Sequence, residues 1–173
     1  MNDILPDVLA HGLIAVFCGT AASAASARAT AYYAHSGNFF WRALHQAGFT
    51  PCQFAPVNFR NLLALGIGLT DLCKHSAGND SQIAFTQDDA AALREKLIRY
   101  QPKIAAFTSK TAWRIASGQS TSQRVDYGWQ PEGVGRTRCF VLPSPSGLAR
   151  RYWDIAPWQT LAAAYQRLSA QLN

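Results

Sequence analysis

Apolar runs bounded by turn residues divide this chain. Leu13 to Cys18 has no polar position and ends at Gly19. Such a run predicts a strand covered on both faces, as in parallel sheets. Thr20 to Thr30 reads as a loop of small residues, too poor in large side chains to supply core. Asn38 to Ala47 predicts a helix, with Phe39, Phe40, Ala43, Leu44 and Ala47 on one face and Gly48 as its stop. Asn58 to Leu65 predicts a short helix. Gly66 to Leu72 predicts a short strand or turn leading to the polar loop Gly78 to Ser81. Thr86 opens the strongest helix, with Asp88 and Asp89 in its first turn and Lys96 and Arg99 in its last, the order the helix dipole favours. Pro102 bounds it.

Ile104 to Phe107 predicts a second buried strand, and Ser109 can cap a helix through Ile115. Arg124 to Trp129 and Arg138 to Leu142 are strand-like, with Gly133 and Gly135 turning between them. Pro143 to Arg151 reads as a loop, and Pro157 opens a last helix to about Leu172. Strands that alternate with helices imply an α/β protein: a three-layer α/β/α sandwich around a mostly parallel central sheet. No repeat or linker interrupts residues 1–173, so a single domain is expected. Ligands of such sheets sit at the carboxyl ends of strands. Gly19 to Ser23 and Pro143 to Arg150 are the loops that follow apolar strands most directly.

Composition narrows the class. The chain is 49% hydrophobic and 15% charged, which is globular rather than disordered. Its net charge of +6 is uneven. Residues 1–98 hold six Lys/Arg and seven Asp/Glu, whereas residues 99–151 hold nine and two. A basic segment of that kind collects polyanions. Cys18, Cys52, Cys73 and Cys139 form no Cys-x-x-Cys pair, which argues against a zinc knuckle or an iron–sulfur cluster and for reduced thiols. His11, His35, His45 and His75 lack ligand spacing, so no metal is expected. No Gly-x-x-x-x-Gly-Lys cradle and no Gly-x-Ser-x-Gly elbow is present, so neither a nucleotide cofactor nor a serine nucleophile is expected. The first dozen residues carry Asp3 and Asp7 and no basic residue, unlike a signal peptide. No run approaches the roughly 20 apolar residues of a membrane helix. A cytoplasmic monomer without a membrane partner is the expectation.

Two segments carry a family resemblance. One is Val16-Phe17-Cys18-Gly19, followed after a gap by His35 to Trp41 and Gln46 to Phe49. The other is Val141 to Arg150, reading Val-Leu-Pro-Ser-Pro-Ser-Gly-Leu-Ala-Arg. A weaker third is Gly66 to Leu72. In order and spacing they resemble the mismatch-specific uracil/thymine-DNA glycosylases of the uracil-DNA glycosylase superfamily. The resemblance implies an enzyme that extrudes a base from DNA and hydrolyses its glycosidic bond, leaving an abasic site, with DNA as partner and no cofactor. It implies that Ser144, Pro145, Ser146, Gly147, Leu148 and Arg150 form an intercalation loop. Leu148 would wedge into the stack and Arg150 would follow it or hold a phosphate. It implies that Tyr33 stacks on the flipped base, with Gly19, Thr20, Ala21 and Asn38 around the pocket. Each residue also has a plainer reading. Leu148 could be core, Tyr33 a surface aromatic, and Asn38 a helix cap.

One departure bears on the chemistry. The family's first motif usually reads Gly-Ile-Asn-Pro-Gly, and its Asn positions the attacking water. Here the run is Gly19-Thr20-Ala21-Ala22-Ser23, and the Ala21 methyl can orient nothing. Asp71, in the third segment, is the first substitute, since a carboxylate can orient water and offset developing positive charge. It could equally be a cap or a loop acid. His35 is the second. A protein that binds damaged or abasic DNA with little or no turnover is the alternative that Ala21 favours. A small-molecule α/β hydrolase is a lower third reading.

Overall fold

The computed structural model describes residues 2–172. In chain order the elements are β1 (Ala15–Ala22), α1 (Ala24–Ala29), α2 (Phe40–Ala47), β2 (Ile67–Ala77), α3 (Gln87–Tyr100), β3 (Ile104–Phe107), α4 (Lys110–Ser117), β4 (Gly128–Trp129), β5 (Arg138–Val141) and α5 (Ala156–Ala170). Tight 3-10 turns occupy Pro56–Leu65, Asp80–Gln82 and Gly147–Tyr152. The strands form one sheet in the order β2-β1-β3-β5-β4. The first four run parallel, and β4 pairs antiparallel to β5 at the edge.

Strand alternation sends side chains to two cores. From β1, Ala15 and Phe17 enter one core while Val16 and Cys18 enter the other. The first core is covered by α2, α5 and the 56–65 turn through Phe40, Trp41, Leu44, Phe59, Leu62, Trp158 and Leu161. The second is covered by α3 and α4 through Leu93, Leu97 and Trp113. The expected α/β/α sandwich with a mostly parallel sheet is what the chain forms. No helix among the described residues is long and apolar enough to cross a membrane.

Several boundaries differ from the sequence reading, each for a local reason. The first strand starts at Ala15 and continues through the supposed loop to Ala22, because β2 beside it supplies backbone partners as far as Ala77. That β2 has eleven residues, the first eight buried, where a short strand or turn was expected. Its polar residues Thr70, Asp71 and Lys74 disguise a buried strand. The small residues 24–29 form a helix, capped by Ser23 Oγ accepting from the Ser26 N–H (3.0 Å). Ala22 and Ser26 are buried, so small side chains do contribute core. Of Arg124–Trp129 only Gly128 and Trp129 pair as strand.

The N-terminal segment lies along the free edge of β2. The Ile4 N–H donates to the Lys74 carbonyl (2.8 Å), and Val8 and Leu69 exchange both backbone bonds (2.9 Å each). Gly68 permits this approach, since a Cβ there would stand 2.5 Å from the Val8 carbonyl oxygen. The segment brings Asp7 to Lys74 (2.9 Å), Lys96 (2.6 Å) and the Thr70 hydroxyl (2.7 Å). Burial pushes the Asp7 carboxyl up, but the two lysines and the hydroxyl more than offset it and hold it below the usual aspartate range.

Candidate active site

A cavity of about 390 Å³ opens at the carboxyl ends of β1, β2 and β3, within the size range of ligand pockets. Its floor follows from strand register. Gly19 pairs with Asp71 and Ala21 with Cys73, so these positions share one face of the parallel pair. Gly19 has no side chain, and the Asp71 carboxylate leans across it. A Cβ on Gly19 would lie 2.6 Å from Asp71 Oδ1 and 3.1 Å from the Tyr33 hydroxyl. Asp71 is buried, and no hydrogen bond from the protein contributes to its ionisation. Burial pushes it up to about 6, opposed by Lys74 and assisted by Asp7. Near neutral pH it is therefore mostly a carboxylate without a protein donor, facing the cavity.

Tyr33 sits above it with left-handed backbone (φ 51°), a conformation uncommon outside glycine. Its ring stacks on Phe40 at a centroid distance of 3.8 Å and 15° between planes. Its hydroxyl lies 3.3 Å from Thr108 Oγ1, at the end of β3. Burial and the Asp71 charge raise its pKa far out of range, so it is a neutral phenol. Asn38 Oδ1 accepts the Phe40 N–H (2.9 Å) from two residues before α2 begins, and its amide NH₂ has no acceptor among the described residues. Thr20 Oγ1 donates to Asp80 Oδ1 (2.6 Å), drawing the 78–82 turn over one side.

The opposite wall is the segment after β5. Ser146 Oγ accepts the Leu148 N–H (3.2 Å) and starts the 147–152 turn. Leu148 projects with 78% of its surface exposed, so it is no core leucine. Two buried indoles fix these walls. The Trp158 N–H donates to the Pro143 carbonyl (3.1 Å), and the Trp41 N–H donates to the Tyr32 carbonyl (3.0 Å). The Phe39 N–H donates to the Pro145 carbonyl (2.8 Å), joining the two loops.

The structure thus brings Gly19, Thr20, Ala21, Tyr33, Asn38, Asp71, Ser144, Pro145, Ser146 and Leu148 to one cavity. Gly147 and Arg150 belong to the same turn but do not line it. His35 does not line it either. It is exposed, and its Nδ1 accepts the Gly37 N–H (2.9 Å), so the tight turn it closes holds the ring at the loop surface. Thr108 lines the cavity and was missed, whereas Ser23 and Ser26, weaker candidates in the sequence for want of an adjacent base, line it as well. Thr108 follows β3 directly, and the rule that selected the loops after the other strands would have found it. Among the described residues no three His, Cys, Asp or Glu gather as a metal site.

The family model for the uracil DNA glycosylase superfamily matches residues 6–168. A solution NMR structure from Methanosarcina acetivorans, described as a candidate uracil DNA glycosylase, superposes with a TM-score of 0.62 at 22% identity, over 94% of this chain and 96% of that one. At that identity the likeness is one of fold.

Proposed function

The chain belongs to the uracil DNA glycosylase superfamily, and from that membership we propose that it flips uracil out of DNA and hydrolyses the bond between base and sugar without cutting the strand. The carrying observation is the Asp71 carboxylate, buried beneath the cavity with no protein donor and one pleat from the alanine that stands where the family's water-positioning Asn would be. As the bond from sugar C1′ to uracil N1 breaks, the base departs with the electron pair and the sugar becomes oxocarbenium-like. Asp71 offsets that positive charge and holds a water whose oxygen bonds to C1′, taking its proton. Hydrogen-bond donors around the cavity stabilise the leaving anion. Candidates are the Asn38 NH₂, the Tyr33 hydroxyl and backbone N–H groups near Gly19 and Thr20. Tyr33, braced by Phe40, is the stacking surface, and Leu148 is the plug for the vacated stack.

Labelled duplex carrying one uracil, incubated with the protein and then heated in alkali, should break at the uracil. Asp71→Asn should abolish the break, and His35→Ala should leave it. Leu148→Ala should slow release from duplex more than from single strands. Tight binding with no alkali-sensitive product would overturn the proposal. It would favour the second reading, a binder of damaged or abasic DNA, which the Ala21 methyl supports.

A further inference from the structure

Phe39 lies on the rim, its chain neighbour Asn38 lining the cavity and its backbone N–H joined to Pro145. Two guanidinium groups rest on its ring. The Cζ of Arg42, from α2, is 5.4 Å from the ring centroid, and the Cζ of Arg150, from the 147–152 turn, is 5.0 Å away. Trp153 also packs against the ring (centroids 5.3 Å apart, 57° between planes). Elsewhere among the described residues a cation over an aromatic ring is single: Arg60 on Phe59, Lys110 on Tyr127, Arg138 on Trp129. Phe39 alone holds two.

Both arginines are exposed, and among the described residues neither forms an ion pair or donates a hydrogen bond. Anchored on one ring, the two positive charges share one small patch of surface. Among the described residues their N–H groups meet no acceptor, and two guanidinium forks on one anchor suit an anion with several oxygens. The ring attraction supplies roughly 0.5–1 kcal/mol at exposed sites and limits the side-chain motion lost on binding.

We infer that Arg42, Phe39 and Arg150 form a phosphate clamp on the DNA backbone beside the flipped nucleotide. Resting on the DNA-directed reading above, it adds Arg42, which comes from the electrically neutral part of the sequence. Leu148, two residues before Arg150, would enter the stack while the clamp held the flanking phosphodiester. Ring and arginines act together: the guanidinium groups carry the charge, and Phe39 fixes where they point.

The probe is duplex DNA with a single tetrahydrofuran abasic analogue, which needs no excision, titrated with full-length protein over a range of NaCl. Each phosphate contact contributes about 0.9 to the slope of log affinity against log salt. Arg42→Gln and Arg150→Gln should each lower the slope by about one, and the double variant by about two. Phe39→Leu should weaken binding several-fold and keep the wild-type slope. Replacing single phosphates near the analogue with uncharged methylphosphonates should identify one or two at which Arg42→Gln has no further effect. An unchanged slope in folded Arg42→Gln would overturn the clamp, as would an equal loss on every methylphosphonate duplex. Uracil release by wild type is measured alongside. Release with unchanged slopes sinks the clamp alone, and altered slopes without release sink the glycosylase reading alone.

Discussion

At the scale of single residues, the role proposed for Asp71 predicts a pH dependence. Its folded carboxyl titrates near 6 because burial disfavours the charge, whereas an unfolded aspartate titrates near about 4. A raised carboxyl works against folding once it ionises. The stability associated with its protonated form is fully present below the unfolded value and is lost as pH rises through about 6. The difference at neutral pH is on the order of 3 kcal/mol. Asp71→Asn should therefore melt higher than wild type at neutral pH, with the gap closing on acidification towards about pH 4. Uracil release by wild type should rise with pH, half-maximal near 6, as expected of an agent that acts ionised. A melting difference independent of pH, or a rate flat across that window, would remove Asp71 from the role proposed for it. Stabilisation by removing a reactive group is the usual sign of a site built against folding stability.

At the scale of elements, the cavity walls depend on helices that never touch its contents. Trp158 of α5 lies in the aromatic core, stacked on Phe17 at 5.9 Å and 12°, yet its N–H holds the Pro143 carbonyl at the root of the Leu148 segment. Trp158→Phe keeps most of the apolar volume and leaves that carbonyl without its partner, at a cost of about 1–3 kcal/mol. Affinity for abasic duplex should fall with it, while uracil release from a short single strand changes less. Equal loss on both substrates would place the defect in the pocket instead. The sequence made α2, α3, β3 and α5 legible, because their patterns were long or their caps strong. It hid β2, whose buried Thr70, Asp71 and Lys74 break the apolar run, and α1, whose residues are too small to show a face. The Pro-Ser-Pro-Ser-Gly-Leu run marked the Leu148 turn directly. Thr108 and Arg42 were missed because their importance lies in tertiary neighbours: Tyr33 for one, Phe39 for the other.

At the scale of the whole molecule, charge and shape divide the work differently from the sequence. Three of the nine basic residues of 99–151 are engaged locally within the protein. Arg124 pairs with Asp126 (2.9 Å), Arg114 donates to the Gln123 carbonyl (3.2 Å), and Arg138 covers Trp129. Arg150 joins Arg42 from the balanced part of the chain instead. A net positive charge favours polyanions at a distance, and local placement decides what they meet on arrival.

The strip of chain along β2 has a further consequence. A sheet with a bare margin invites another copy to add its own strand, the first step towards insoluble assemblies. Here one margin is two residues long at β4, and the other is sealed by residues 4–8, with Leu5 and Val8 buried. Chain ends ordinarily tolerate trimming, but this one should not. Deleting residues 2–8 would bare the edge of β2 between Leu69 and Lys74 and leave Lys74 without Asp7. Light scattering at rising concentration should show the shortened protein self-associating where the full chain stays dispersed. Equal dispersal of both would mean that the seal is dispensable. Residues 4–8 act as a gasket on that margin.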